Sequence, residues 1–408
     1  MNIIFQNQMP FGEKVKDILT ILLYISFITF STNVMGVYYM VGLTIAIYLI
    51  HLFTNGFKIN FHFGIYHCYI LAISIFCLFS SLWADVPSYS IEKGVTLLEL
   101  LIIFSLLYNV YYGCDSERLL NCIKWVGFLL ALYTIGFVGL GNLQDTIGEE
   151  GRMENSFANV NTIGMCCSTS VLIAFFFGRL KRNIIDIFMC IPTLYIIAAS
   201  GSRKALVMLI FGILFIIFYQ YKESNSTSFQ NKLFNVLGTL FILGILAVIL
   251  LKLGIFGGTL SRMEGMIASI TGNGEVDSST IIRSYYRYLG LEQFLKTPFL
   301  GIGMGNPRLL AFQYTGHDCY LHCNYAEIAA GGGLVGLIVV YWIYIKLGQV
   351  ELKNLKVNKY ASIMLLLIVL NLILDYGLVS YYDKGTYFIF MILCLHYESL
   401  RQNHCNYK

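Results

Sequence analysis

The chain has 408 residues, of which 57% are hydrophobic and 12% charged, and its mean hydropathy is +0.70. A soluble fold of this size does not carry so much apolar composition, which leaves a polytopic membrane protein. The formal net charge of +4 says little about partners, and no nucleic-acid motif is present.

A bilayer core about 30 Å thick needs roughly 20 apolar residues per helical crossing. Stretches of that kind lie near residues 17–35, 37–54, 64–83, 94–112, 119–140, 160–178, 184–201, 204–221, 233–252, 325–347, 360–379 and 385–400. They predict an all-α fold with about twelve transmembrane helices in a single transmembrane domain, 1–408, nine spans preceding a long loop at 253–321 and three following it. The runs lack the dyad alternation of a membrane β-barrel. The first run is long and has no small-residue cleavage site, so it reads as a retained helix. With the N-terminus inside, the cytoplasmic segments hold sixteen Lys or Arg residues; outside the long loop the opposite face holds five, Lys93, Arg152, Arg203, Lys204 and Lys384. That asymmetry places both termini in the cytoplasm and the long loop outside it.

Four segments then carry polar chemistry. In "GRMENSFANVNTIG", 151–164, Glu149, Glu150 and Glu154 surround Arg152, while Asn155, Asn159 and Asn161 offer amides suited to sugar hydroxyls. A solvated loop has the same composition. In "SGSRKAL", 200–206, Arg203 sits between two spans without a real loop, so it lies at the membrane rim as a functional cation or a helix-end anchor. Residues 271–280 read as disordered. After them Ile281, Tyr285, Tyr288, Leu289, Glu292 and Leu295 recur at helical spacing behind Ser278, Ser279 and Thr280 as caps, predicting an amphipathic surface helix ended by Pro298. Arg283 and Arg287 share one face of it, either as an anion clamp or as lipid-headgroup anchors. "GIGMGN", 301–306, has no preceding strand and is a tight turn rather than a dinucleotide fingerprint.

The fourth segment, "HCNYAEIAAGGGLVG", puts His322 and Asn324 just ahead of a long apolar run, and Gly331 to Gly333 are expected to let that helix pack closely on a neighbour. His317, Cys319, His322 and Cys323 are too closely spaced for the usual paired zinc ligands. The chain has 11 cysteines; most sit inside predicted spans, among them Cys77, Cys166, Cys167, Cys190 and Cys394, and read as packing residues.

These four motifs, in this order and with a long outer loop between the last two, resemble the O-antigen polymerase and O-antigen ligase superfamily of bacterial membrane glycosyltransferases. The resemblance spans about residues 150–340; the N-terminal third is similar only in hydrophobicity. One departure is Cys323, which stands where the family usually follows its histidine directly with asparagine. The resemblance implies a GT-C-like fold and a polyprenyl-pyrophosphate-linked oligosaccharide as substrate in a setting of membrane lipids, with a chain-length regulator and a flippase as partners. It further implies that Arg203 and Arg283 bind the pyrophosphate and that Arg287 supports them, with Arg152, Asn161 and Asn324 contacting substrate. There is no cofactor, since the arginines take the part of a divalent metal and no Asp-x-Asp motif is present. His322 is then the general base that deprotonates the acceptor hydroxyl as it attacks the anomeric carbon with inversion, and His317 is its competitor.

The richness in Ile, Tyr, Asn and Phe favours a capsule or O-unit polymerase, as encoded by AT-rich genomes, over an O-antigen ligase. A different class, a lipid-linked oligosaccharide flippase, would also have about twelve spans and buried arginines. It would not need one long outer loop, and it should show charged residues within its spans and symmetry between halves, neither of which is evident in the sequence.

Overall fold

A computed structural model of the chain describes residues 9–30, 34–148, 153, 157–181, 184–223, 264–265 and 278–406. The described residues form helices and connecting turns, with no strand among them. In chain order the helices are α1 (Phe11–Thr29), α2 (Val34–Thr54), α3 (Ile65–Ser80), α4 (Pro87–Tyr111), α5 (Ser116–Val138), α6 (Leu140–Gly148) and α7 (Val160–Lys181). There follow α8 (Ile184–Ala199), α9 (Arg203–Glu223), α10 (Ser278–Lys296), α11 (Arg308–Thr315), α12 (Asn324–Asn354), α13 (Ala361–Asp375) and α14 (Lys384–Asn406). By length and composition Gly36–Thr54, Pro87–Tyr111, Ser116–Val138, Val160–Gly178 and Asn324–Asn354 can cross a membrane, and Ile65–Ser80, Ile185–Ala199 and Ala361–Asp375 are shorter apolar helices. The protein is an all-helical, polytopic membrane protein. The predicted span at 233–252 lies outside the described residues; each of the others overlaps a helix, and all but the first closely.

The first predicted span, 17–35, is displaced: α1 occupies Phe11–Thr29. Its extra N-terminal turn is charged but neutralised. Arg118 of α5 donates to Asp17 at 2.8 and 2.9 Å and to Glu13 at 2.6 Å, and Lys16 pairs with Glu13. Paired charges can be covered, so the helix extends through Lys14 and Lys16 where hydropathy alone ends it.

The chain divides into two compact units, one of Met1–Leu43, Glu117–Asn273 and Leu352–Leu366, the other of Thr44–Ser116, Gly274–Glu351 and Leu367–Lys408. In the first, α7 packs on α8 and α9, and the Ser168 hydroxyl donates to the Ala205 carbonyl at 2.9 Å. A buried ion pair, Lys124 Nζ to Asp186 Oδ1 at 2.6 Å, ties α5 to α8. In the second, α3 packs on α4, and α14 covers both.

The glycines of 331–333 allow a close approach to a neighbouring helix, as expected, since a Cβ at Gly332 would lie 2.9 Å from the Phe76 ring of α3, and they do something more. Within α12, Gly333 has φ 61 and ψ −154, which breaks the helix. The turn at 298–303 lies against the break. Leu334 N donates to Pro298 O at 2.8 Å and Val335 N to Phe299 O at 3.1 Å, while Ile302 N and Gly303 N donate to Ala330 O and Gly331 O at 3.0 and 2.8 Å. The break thus leaves its backbone groups paired, the condition for non-helical backbone at membrane depth. Gly301 faces the same break at φ 64, and a Cβ there would lie 2.4 Å from the Gly331 carbonyl carbon, so no side chain fits.

"GIGMGN" is a turn, as expected, and it is also a clamp. Asn306 is fully buried; it accepts from Val86 N at 2.8 Å and donates to Val86 O and Ser90 Oγ, both at 3.2 Å. Ser90 donates to Met304 O at 2.7 Å and Met304 N to Ser80 Oγ at 3.0 Å. These bonds fix the start of α11 to the end of α3 and the start of α4.

Candidate functional site

The second unit brings together His322, Arg283, Arg287 and Asn324. His322 ends the turn before α12 with φ 57, a left-handed conformation uncommon for a side-chain-bearing residue. Its surroundings over-determine it, as such strain requires. On one side Leu321 N donates to the buried Glu327 carboxylate at 2.8 Å, and Glu327 N to Cys323 O at 2.9 Å. On the other, Asn324 is pinned. The half-buried imidazole lies between two tyrosines, parallel to Tyr286 with centroids 6.1 Å apart and tilted on Tyr320 at 4.4 Å.

Asn324 is completely buried, and all four of its amide valences are filled by protein. Its Nδ2 donates to Tyr341 Oη and to Asp375 Oδ2, both at 3.0 Å, while Oδ1 accepts from Ser380 N at 3.0 Å and Tyr381 N at 3.2 Å. Tyr341 donates to the same Asp375 oxygen at 2.9 Å and Ser380 to the other. Because Asn324 and Tyr341 flank the break at Gly333, this network is a strut joining the two halves of α12 to the end of α13. It leaves Asn324 no free valence for substrate in this conformation.

α10 forms as its spacing predicts, but Ser278 to Thr280 are its first turn rather than its caps, and the buried face differs from the predicted stripe. Tyr286 and Leu289 pack against Ala311, Leu321 and Ala330, whereas Ile281, Tyr285, Tyr288 and Leu295 are exposed. The alternation fails because α10 has apolar residues on two faces and only one meets protein. Arg283, at i−3, shares the face of Tyr286 that is turned to His322, and Arg287 follows Tyr286 at i+1, one helical turn from Arg283. Both reach the turn electrostatically, Arg283 at Tyr320 and Arg287 at Cys323. The Arg287 guanidinium lies over the Tyr376 ring at 4.7 Å. His317, the competing histidine, is exposed in the turn after α11. Cys319 donates from Sγ to Tyr286 Oη at 3.5 Å, and burial pushes the Cys323 thiol up from its ordinary range.

The first unit brings the other two motifs together. Met153 N donates to Ala199 O at 3.1 Å, and Gly164 in α7 approaches Ser200 and Ala205 closely. Arg203 opens α9 directly after the corner Ser200–Gly201–Ser202, in which Ser202 N donates to Ser200 Oγ at 3.2 Å. A cation at a helix N-terminus is opposed by the helix dipole, and a bound anion would reverse that cost. Asn161 stands in the first turn of α7, its backbone N capped by Asn159 Oδ1 at 2.9 Å. Arg152 lies outside the described residues.

Sequence reasoning missed Glu327 and Asp375, although a carboxylate inside a predicted span was a sufficient signal. The same residues correct the view that charge is absent from the spans: Glu327, Asp375, Lys124 and Asp186 all fall within predicted spans and all are buried with partners. That argument against a transporter therefore falls.

Residues 188–341 match the family model described as O-Antigen ligase, from α8 to the second half of α12, a stretch holding "SGSRKAL", α10 with its turn and "HCNYAEIAAGGGLVG". The motif at 151–164 lies ahead of the match. No curated protein matches the chain. The match agrees with membership of the O-antigen polymerase and ligase superfamily and supports, in broad terms, a glycosyltransferase-like enzyme of polysaccharide assembly.

Proposed function

We propose that the protein is a polysaccharide polymerase of the O-unit or capsule type, joining polyprenyl-pyrophosphate-linked oligosaccharide repeat units on the outer face of the cytoplasmic membrane. The observation that carries this reading is His322, held in a strained conformation against Tyr286 of the helix that also bears Arg283 and Arg287. A lipid-linked sugar already has a good leaving group, so the enzyme needs a base for the acceptor and positive charge for the leaving group. The imidazole takes the proton of an acceptor hydroxyl, whose oxygen bonds to the anomeric carbon. The bond from that carbon to the pyrophosphate breaks with its electron pair going to the phosphate oxygen, stabilised by Arg283 with Arg287 beside it. Attack opposite the leaving group inverts the configuration, and the products are a longer glycan and polyprenyl pyrophosphate. Asn324 acts here by holding the turn that carries His322.

Lysine cannot reproduce the bidentate fork of a guanidinium on phosphate. Arg283→Lys should therefore be strongly impaired, and in Arg203→Ala and Arg283→Ala cells full-length polysaccharide should be lost. Full-length product from both alanine variants would make these residues membrane anchors only.

Sidedness follows from the distribution of Lys and Arg. A cysteine introduced at position 273 in a cysteine-free background should react with a membrane-impermeant reagent in intact cells. Labelling only after permeabilisation would place the loop, and the chemistry, on the wrong face.

The description of the matched family favours a second reading, an O-antigen ligase, with the same chemistry and a different acceptor. Purified protein given lipid-linked repeat units alone separates the two, because a polymerase makes a ladder and a ligase makes nothing without its acceptor.

A further inference from the structure

Beside His322, at the end of the second unit where α4 and α12 begin, lies a cluster that the reaction above does not use. Arg308 of α11 is bidentate to Asp318, reaches Glu92 of α4 at 3.8 Å and stacks on the Tyr89 ring at 4.4 Å. Lys93 pairs with Glu92 at 3.1 Å and lies 4.2 Å from the Tyr382 ring centroid. Two cations face two carboxylates, so the cluster is neutral.

Three properties decide what it suits. It is rigid, because the Asn306 clamp fixes the start of α11 to α4 and stacking fixes the guanidinium plane. It is open, since the Glu92 and Asp318 side chains remain 54% and 45% exposed despite their ion pairs. Its cations are compensated, which disfavours a phosphate and leaves planar, fixed donors and acceptors that match vicinal hydroxyls. Tyr320, 39% exposed and in contact with the His322 ring, continues the surface toward the candidate base, and Tyr382 lies within the electrostatic reach of Tyr320 and Glu92. Fixed polar groups beside an exposed aromatic ring, preorganised before binding, make a surface for a neutral sugar.

We propose that Glu92, Arg308, Asp318 and Tyr320 form a saccharide subsite that holds the glycan next to His322. The choice of ligand class rests on the glycosyl-transfer reading, while the binding itself does not require His322 as base.

The probe is the repeat-unit oligosaccharide freed of its lipid pyrophosphate by mild acid, titrated into purified protein in detergent and followed by saturation-transfer NMR. Wild type should bind it, and Glu92→Gln together with Asp318→Asn should weaken binding at least about tenfold while His322→Asn and Arg283→Ala leave it unchanged. Thermal unfolding of each variant confirms that it is folded, and Glu92→Gln alone, which removes charge from the more exposed carboxylate, serves where the double variant is not. In turnover the same substitutions should raise KM with kcat little changed. Equal binding by wild type and the Glu92 and Asp318 variants, or no binding by wild type, would overturn the subsite. Loss of turnover in these variants with full binding would also overturn it, since the residues would then act in chemistry or folding. If His322→Asn stays active while the Glu92 and Asp318 variants lose binding, the base assignment fails and the subsite stands.

Discussion

His322→Asn should leave the protein inserted, folded and able to hold its lipid-linked substrate, yet slow glycosidic bond formation about 10²- to 10⁴-fold, the usual loss for a missing general base. Asparagine is the sharper substitution than alanine. His322 has φ 57, and asparagine accepts the left-handed region readily, whereas alanine there adds strain of about 1–2 kcal/mol that would confound the result. Cells carrying the variant should display single, unpolymerised repeat units on the outer face, because transport is intact and joining is not. A flippase variant would trap the units inside. His317→Ala should be mild, since its exposed ring lies in the turn after α11. Polymer of normal length from His322→Asn would remove the imidazole from the reaction.

The second large effect is expected at Asp375, which touches no substrate in this account. Its carboxylate accepts from Asn324, Tyr341 and Ser380, so Asp375→Ala strands donors on three buried or half-buried side chains. Each stranded group costs about 1–3 kcal/mol, enough together to unfold a marginal membrane domain or to free the two halves of α12. The thermal midpoint in detergent should fall clearly, and activity should be lost. Asp375→Asn keeps an acceptor in the same shape and should recover part of both. If Asp375→Ala is as stable and as active as wild type, the strut holds nothing that matters.

How far the sequence reaches is clear from particular residues. The helices are legible because 20-residue apolar runs have one solution in a bilayer, and α1 is misplaced only where Arg118, a hundred positions away in the chain, neutralises Glu13 and Asp17. The arginine pair of α10 is legible from spacing, and the histidine from its place ahead of an apolar run in a motif that resembles the superfamily's. Their surroundings are not, since the partners come from far along the chain: Asp375 is 51 residues from Asn324, and Ser90 is 216 from Asn306. The glycines of α12 show the same limit. Three glycines in an apolar run mark a close approach, but that they meet both α3 and the turn at 298–303 depends on contacts that only the folded chain supplies.

The central claim is bond formation from a lipid pyrophosphate by this chain alone. Purified protein in liposomes, given its lipid-linked repeat units with a chelator present, should produce a polymer ladder, release one polyprenyl pyrophosphate per new linkage and show an inverted anomeric configuration by NMR. Repeat units that cross the bilayer with no linkage formed would contradict it.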